Sequence, residues 1–366
     1  MRRLIVLLLC SAALAACAPT EVFYGDTPGV GRIVAGVLDV RFGGTPADGM
    51  ATETRLGIPG AVALGPDGDF YLTDRQQGSV AHVARDGSLR WIIGRGPICL
   101  TPGPAPDGNA RNTCLRDPVA LLRAPGGDLY VSDQTGNRVY RYSATDSLVT
   151  VVLGTGAAAT SPAGAPAATA PVHHPYGLWL ADDGSLYVVE RSGHRVLRVD
   201  PEGMLQVAAG SGERGDGGDG GPATDALLQF PEGVAMLGGT LYIADAGNHR
   251  LRRVVGDVID HYAGVGVAGL RGDGGPISQA LFRRPSQLTT VGNLLMVVDR
   301  GNNRIRAIRV GADSITTWAG TGGLGPGFDL TDITRTDIGG PQGVAILDRV
   351  VLIADSGGAV IRRVIR

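Results

Sequence analysis

The chain is 366 residues long, with 33 basic and 35 acidic residues and a formal net charge of −2, a balance that gives no electrostatic reason to expect a nucleic-acid partner. None of the basic residues is lysine, which removes Schiff-base chemistry and a lysine general base from the mechanisms open to it. The length is ample for a large hydrophobic core, and single all-β domains reach this size.

At the N-terminus, Arg2 and Arg3 form a basic region and Leu4 to Leu9 an apolar run, ahead of Leu14-Ala15-Ala16-Cys17. This layout is a secretory signal, too short to span a bilayer. Small residues directly before Cys17 resemble the lipobox of bacterial lipoproteins, and Cys10, preceded by leucines, does not. The resemblance implies a signal peptide over residues 1–16, acylation (palmitate among the chains) of Cys17, and a tether over 17–31. Several acyl chains on one residue are enough for stable anchoring. Alanine, not aspartate, follows the cysteine, which by that pattern favours the outer membrane of a bacterial envelope, with membrane contact through the lipid anchor alone. Two further cysteines, Cys99 and Cys114, bracket a Pro/Gly-rich segment. In an oxidising envelope such a pair is expected to form a disulfide, contributing about 3 kcal/mol on the chain-entropy account.

The rest of the chain repeats. An apolar strand ending in an acid recurs as Tyr71–Asp74, Tyr130–Asp133, Tyr187–Glu190, Tyr242–Asp245, Met296–Asp299 and Leu352–Asp355, with the acids 59, 57, 55, 54 and 56 residues apart. A period of this size signals a repeat architecture. In the fourth copy, Pro231–Leu237 reads as a first strand, Gly238-Gly239 as a hairpin turn, Leu241–Ala244 as a second strand, Arg250–Val255 as a third and Asp260–Gly264 as a fourth. First strands are marked by Pro59, Pro118, Pro175, Pro231, Pro285 and Pro341. Fourth strands end in Gly94, Gly154, Gly210, Gly264 and Gly320. Four short antiparallel strands repeated radially predict a six-bladed β-propeller over residues 32–366. The sixth copy stops after its third strand, and Arg32–Gly36 matches the fourth-strand pattern. We therefore expect it to pair with Val360–Val364 and close the ring, removing exposed sheet edges.

Pro-x-Gly-Val, a strand ending in Asp, and then Asn-x-Arg (Asn248 and Arg250, Asn302 and Arg304) resemble the NHL repeat, with the first and sixth copies the least regular. The resemblance implies the six-bladed fold, a fold that hosts binding modules and several enzyme classes. The strand-end acids are expected to cap turns and to pair with Arg138, Arg195, Arg250 and Arg304 five residues on, because an active site needs one constellation and not six.

Connections of about 20 residues lead from each fourth strand to the next first strand, and all of them emerge on one face of a propeller. The residues flanking the first-strand prolines are expected at the axial mouth of that face: Arg116, His173, His174, Tyr176, Phe230, Glu232, Arg284 and Gln287. This mixture of cations, imidazoles and aromatics suits an anionic, peptide or glycan ligand. The expected function is a membrane-anchored binding scaffold for a protein, peptide or glycan, with no catalytic residue, no metal ligand and no cofactor assigned. The alternative comes from six-bladed relatives of lactonase and amidating-lyase type, which hold an axial divalent cation. Here only His173 and His174 are placed to reach such an ion, beside Glu232, and no third histidine completes a zinc triad. No Gly-x-Ser-x-Gly elbow supports acyl transfer.

Overall fold

The computed structural model describes residues 30–36, 48–94, 96, 103–105, 108–325 and 331–365. The proposed signal peptide, Cys17, most of the tether and Cys99 lie outside these residues. Six antiparallel sheets are arranged as blades around an axis, each blade's first strand innermost and its fourth outermost. Innermost strands begin at Pro59, Pro118, Pro175, Gly233, Pro285 and Pro341, and each packs against the innermost strands on either side. A proline, with no N–H to donate, is tolerated at the start of a strand.

The fourth blade shows how the sequence makes these sheets. Gly238 and Gly239 have φ of 58° and 77°, and the loop they form joins the paired Leu237 and Thr240. Positive φ at both central residues is what a type I′ hairpin requires. Along the second strand, Leu241 and Ile243 face the third blade while Tyr242 and Ala244 face the fifth. Both faces are therefore buried, and the alternation of strand side chains feeds two cores at once. Six apolar clusters result among the described residues, one between each pair of neighbouring blades.

The ring closes as expected. Val30–Ala35 forms the outer strand of the sixth blade, with Gly31 opposite Val364 and Arg32 opposite Arg363. Three blades exceed the expected four strands. Gly49–Met50, Gly221–Pro222 and Thr331–Asp332 add a two-residue fifth strand at the rim of the first, fourth and sixth blades.

The fourth-strand glycines have a structural explanation. Gly36, Gly94, Gly154, Gly210, Gly264 and Gly320 all have φ between 87° and 105°. Each donates its N–H to the first residue of a one-turn 3₁₀ helix: Ala51, Ala110, Ala167, Ala223, Ile277 and Ile333 respectively. A Cβ at Gly210 would collide with the carbonyl oxygen of His194. Beyond each 3₁₀ turn, one apolar side chain (Leu56, Leu115, Val172, Leu228, Phe282 or Ile338) is fully or almost fully buried. Over their described residues, the long connections are thus built straps that return the chain from rim to axis.

Candidate functional site at the axial mouth

The second strand of each blade ends in a buried acid that ties the incoming strap to the turn below it. The carboxylate of Asp74 accepts from the backbone N–H groups of Gly57, Ile58, Gln76 and Gln77. Asp133 accepts from Arg116, Asp117 and Gly136, and Asp355 from Gly339 and Gly358. Burial raises the carboxyls of Asp133, Asp245 and Asp299 to about 6, against the N–H donors that lower them.

The expected arginine pairing five residues on holds best in the third blade, where Arg195 lies 2.6 Å from Glu190. Elsewhere it is longer or accompanied by another partner. Arg138 donates to the carbonyl of Thr155. Arg304 pairs with Asp273 at 3.5 Å, and Arg250 approaches Asp245 only to 3.8 Å. In the last three blades the arginine seven residues on is the one buried in the sheet. Arg362 donates to Asp355 at 2.9 Å, while Arg252 and Arg306 approach Asp245 and Asp299 at 3.8 and 3.7 Å. The latter two also pair at 2.7 and 2.8 Å with Asp219 and Asp273 of the glycine-rich straps. Positions five and seven residues on from the acid lie on one face of the third strand, the former directly opposite the acid, so strand alternation does not choose between them.

This scaffold delivers a charged cluster to the axis. Glu232, on the fourth blade, is 1% exposed. Its carboxylate lies 3.1 Å from Arg191, 3.1 Å from Arg300 and 3.4 Å from Arg284. Arg300 also donates across the axis to Tyr176 Oη on the third blade and to Gln342 Oε1 on the sixth, each at 3.3 Å. Arg75, on the first blade, grips Asp117 of the second through Nε and Nη2 at 2.7 and 2.9 Å. Burial drives the Tyr176 hydroxyl well above its usual range, and the nearby Glu232 adds to this. Below the mouth the innermost strands converge on a cavity of about 20 Å³ lined by Tyr176, Glu232, Gln287 and Gln342, room for about one water. The convergence depends on Gly177 and Gly233, whose absent Cβ atoms would strike the carbonyl oxygens of Glu232 and Ser286.

The other expected mouth residues have individual surroundings. Phe230 lies between Arg191 and Arg214, with guanidinium carbons 5.2 and 5.1 Å from its ring centre, and His194 meets its edge. The His173 and His174 rings are 4.8 Å apart, and His174 Nδ1 lies 2.8 Å from Ser192 Oγ. Burial and then the neighbouring His173 hold the His174 imidazole below its usual pKa. Arg116 and Asp117 line an open hollow with Arg75 between the first two blades. Gln287 spends its amide on both backbone groups of Val344. His173, His174 and Glu232 do not form a cation site: among the described residues no group of three His, Cys, Asp or Glu side chains could hold a metal ion, and Glu232 faces arginines.

The sequence reading missed Arg75, Arg191 and Arg300. Each directly follows a strand-end acid, and they stand on the first, third and fifth blades, while Gln134, Ala246 and Ser356 occupy the position on the others. That alternation was visible in the sequence; that this turn position faces the axis was not.

A family model described as the Teneurin NHL domain matches residues 87–254. Teneurin-m of Drosophila melanogaster is 36% identical over 163 residues, which is 40% of this chain and 5% of that protein. NHL repeat-containing protein 2 of Homo sapiens is 26% identical over 134 residues, 34% of this chain and 18% of that protein. The chain thus spans less than a fifth of the length of these relatives. Among solved structures, an auxiliary nutrient binding protein from Bacteroides thetaiotaomicron superposes with a TM-score of 0.65 at 15% identity, over 94% of this chain and 78% of that one. Virginiamycin B lyase from Staphylococcus aureus gives 0.51 at 14% identity, over 84% and 95%. At such identities the likeness is one of fold.

Proposed function

Starting from a chain that belongs to the NHL-repeat β-propellers, we propose that it is a non-catalytic binding scaffold, held at a bacterial outer membrane through Cys17, that presents its axial mouth to a protein, peptide or glycan of the envelope. The observation that carries this reading is the convergence of side chains from all six blades on one face. Arginine charge is concentrated there, whereas the chain as a whole carries a formal net charge of −2. Likeness in fold to a nutrient binding protein is consistent with it. The strand-end acids are spent on backbone N–H groups and arginines, so they offer no free general base. A Cys99–Cys114 disulfide would belong to the same picture, staples of this kind being suited to an oxidising compartment; Cys114 is buried and its backbone pairs with Gly103.

The test is binding of the full chain to peptide and glycan arrays, beside a variant combining Arg116→Ala, His173→Ala and Arg284→Ala. Loss of array signals at an unchanged melting temperature is expected, and a variant that keeps every signal would sink the proposal. For the anchor, fatty-acid labelling of the chain should vanish in Cys17→Ala; persistent label would move the anchor elsewhere.

A further inference from the structure

Four arginines and two carboxylates meet at the mouth: Arg75, Arg191, Arg284 and Arg300 against Asp117 and Glu232. The formal surplus is 4 − 2, two positive charges. Three of the guanidiniums are about one-fifth exposed, with side-chain exposures of 21%, 20% and 19% for Arg75, Arg191 and Arg300, while Arg284 is half-exposed. Partly desolvated like charges held together are costly, and the low local dielectric that makes them so also strengthens attraction to an anion.

Donor capacity is left over as well. Arg191 engages Glu232 through Nε, and its two terminal nitrogens hydrogen bond to no described residue. Arg284 uses only Nη2 of its guanidinium. Arg75 uses Nε and Nη2 but not Nη1. Tyr176 Oη and Gln342 complete a polar rim above a cavity too small for a ring or a bulky side chain. A guanidinium matches a planar carboxylate in two-point geometry, and the two anions already seated among these arginines are both carboxylates.

Resting on the scaffold reading above, the geometry points to a carboxylate-recognition site. The group that enters the mouth is a carboxylate of the ligand, shared among Arg191, Arg284 and Arg300 beside Glu232, which serves as an internal counter-charge that limits affinity. Two sources supply this chemistry: the free C-terminus of a peptide, or a small organic acid.

Calorimetric titration of the full chain separates them. The probes are a pentapeptide with a free C-terminus, the same peptide as its C-terminal amide, glutarate, and inorganic phosphate. Binding of the free-acid peptide at least ten-fold tighter than its amide supports a chain end, and binding of glutarate with no preference for the peptide acid supports a small acid. Arg284→Gln, which changes a half-exposed side chain and leaves the backbone N–H in place, should weaken carboxylate binding several-fold, and Arg191→Gln at least ten-fold. Glu232→Gln, checked for an unchanged melting profile, should tighten it. The inference is overturned if acid and amide bind equally and glutarate does not bind, if phosphate outcompetes every carboxylate, or if no carboxylate binds at millimolar concentration. In each of those cases array binding that depends on Arg116, His173 and Arg284 would leave the scaffold reading standing, so the two fail separately.

Discussion

At the scale of single residues, the turn after the second strand sets a joint between blades on the second to fifth blades. Asn137 and Asn303 accept through Oδ1 from the backbone N–H of His174 and Gly340 in the next blade. His194 and His249 do the same through Nδ1 for Phe230 and Arg284. An acceptor Nδ1 requires a neutral ring, and burial, reinforced by nearby arginines, lowers both histidine pKa values. The joints they make are therefore complete above the unfolded pKa of about 6.5 and are lost as pH falls through the lower folded value. The buried aspartates act in the opposite sense. With folded values of about 6 against an unfolded value near 3.9, Asp133, Asp245 and Asp299 penalise the fold above pH 6 and cease to do so as pH falls towards 4. Asparagine already serves as the acceptor on two blades, so His194→Asn should keep the joint and remove its acid sensitivity. Thermal melts should show the variant level with the parent at pH 7.5 and more stable at pH 5; equal behaviour at both pH values would refute the joint's role. The glycines, the strand-end acids and their repeat spacing were legible in the sequence because each repeats six times. The deep arginines Arg252, Arg306 and Arg362 were not, although an acid-to-arginine spacing of seven occurs in all three of the last blades.

At the scale of elements, the first described strand matters most. Val30–Ala35 supplies the outer strand of the sixth blade, and Ala35 is packed in the cluster that joins that blade to the first. Without it, Val360–Ile365 would become an open sheet edge, and the first 3₁₀ turn would lose the hydrogen bond from Gly36 to Ala51. Deleting residues 30–36 should lower the denaturant midpoint sharply and promote self-association, read by urea titration and light scattering. A deletion that retains full stability would refute closure. The strand was legible because its pattern matched the five fourth strands downstream. The straps were legible only as lengths: the 3₁₀ turns rest on a contact between each turn and a glycine of the preceding outer strand, which a reading confined to strand patterns passes over.

At the scale of the whole molecule, each blade shares an apolar cluster with both neighbours, and the strand-end acids stitch each strap to the blade it enters. A closed ring has no terminal repeat to fray, unlike an open repeat array, whose units contact only their two neighbours. Trp91, Trp179 and Trp318 stand on the first, third and fifth blades, so single-tryptophan variants report on three separated regions. Their unfolding transitions in urea should coincide with one another and with far-ultraviolet circular dichroism; resolved midpoints would show that the blades unfold separately.

The sequence alone determined the blade count, the strand order within a blade, the identity of the closing strand and the face on which the straps gather, since all of these follow from periodicity and chain connectivity. Tyr176 and Glu232 were expected at the mouth from their place beside the first-strand prolines, but only the tertiary structure brought Arg75, Arg191 and Arg300 to them. Arg75, Arg191, Arg300, Tyr176, Glu232 and Gln342 span 268 residues of chain, and their meeting depends on strand register, on the bend of each turn and on the close approach that Gly177 and Gly233 permit. A period along the chain fixes how many times a position recurs; which of the recurring positions points inward is set by packing around the ring.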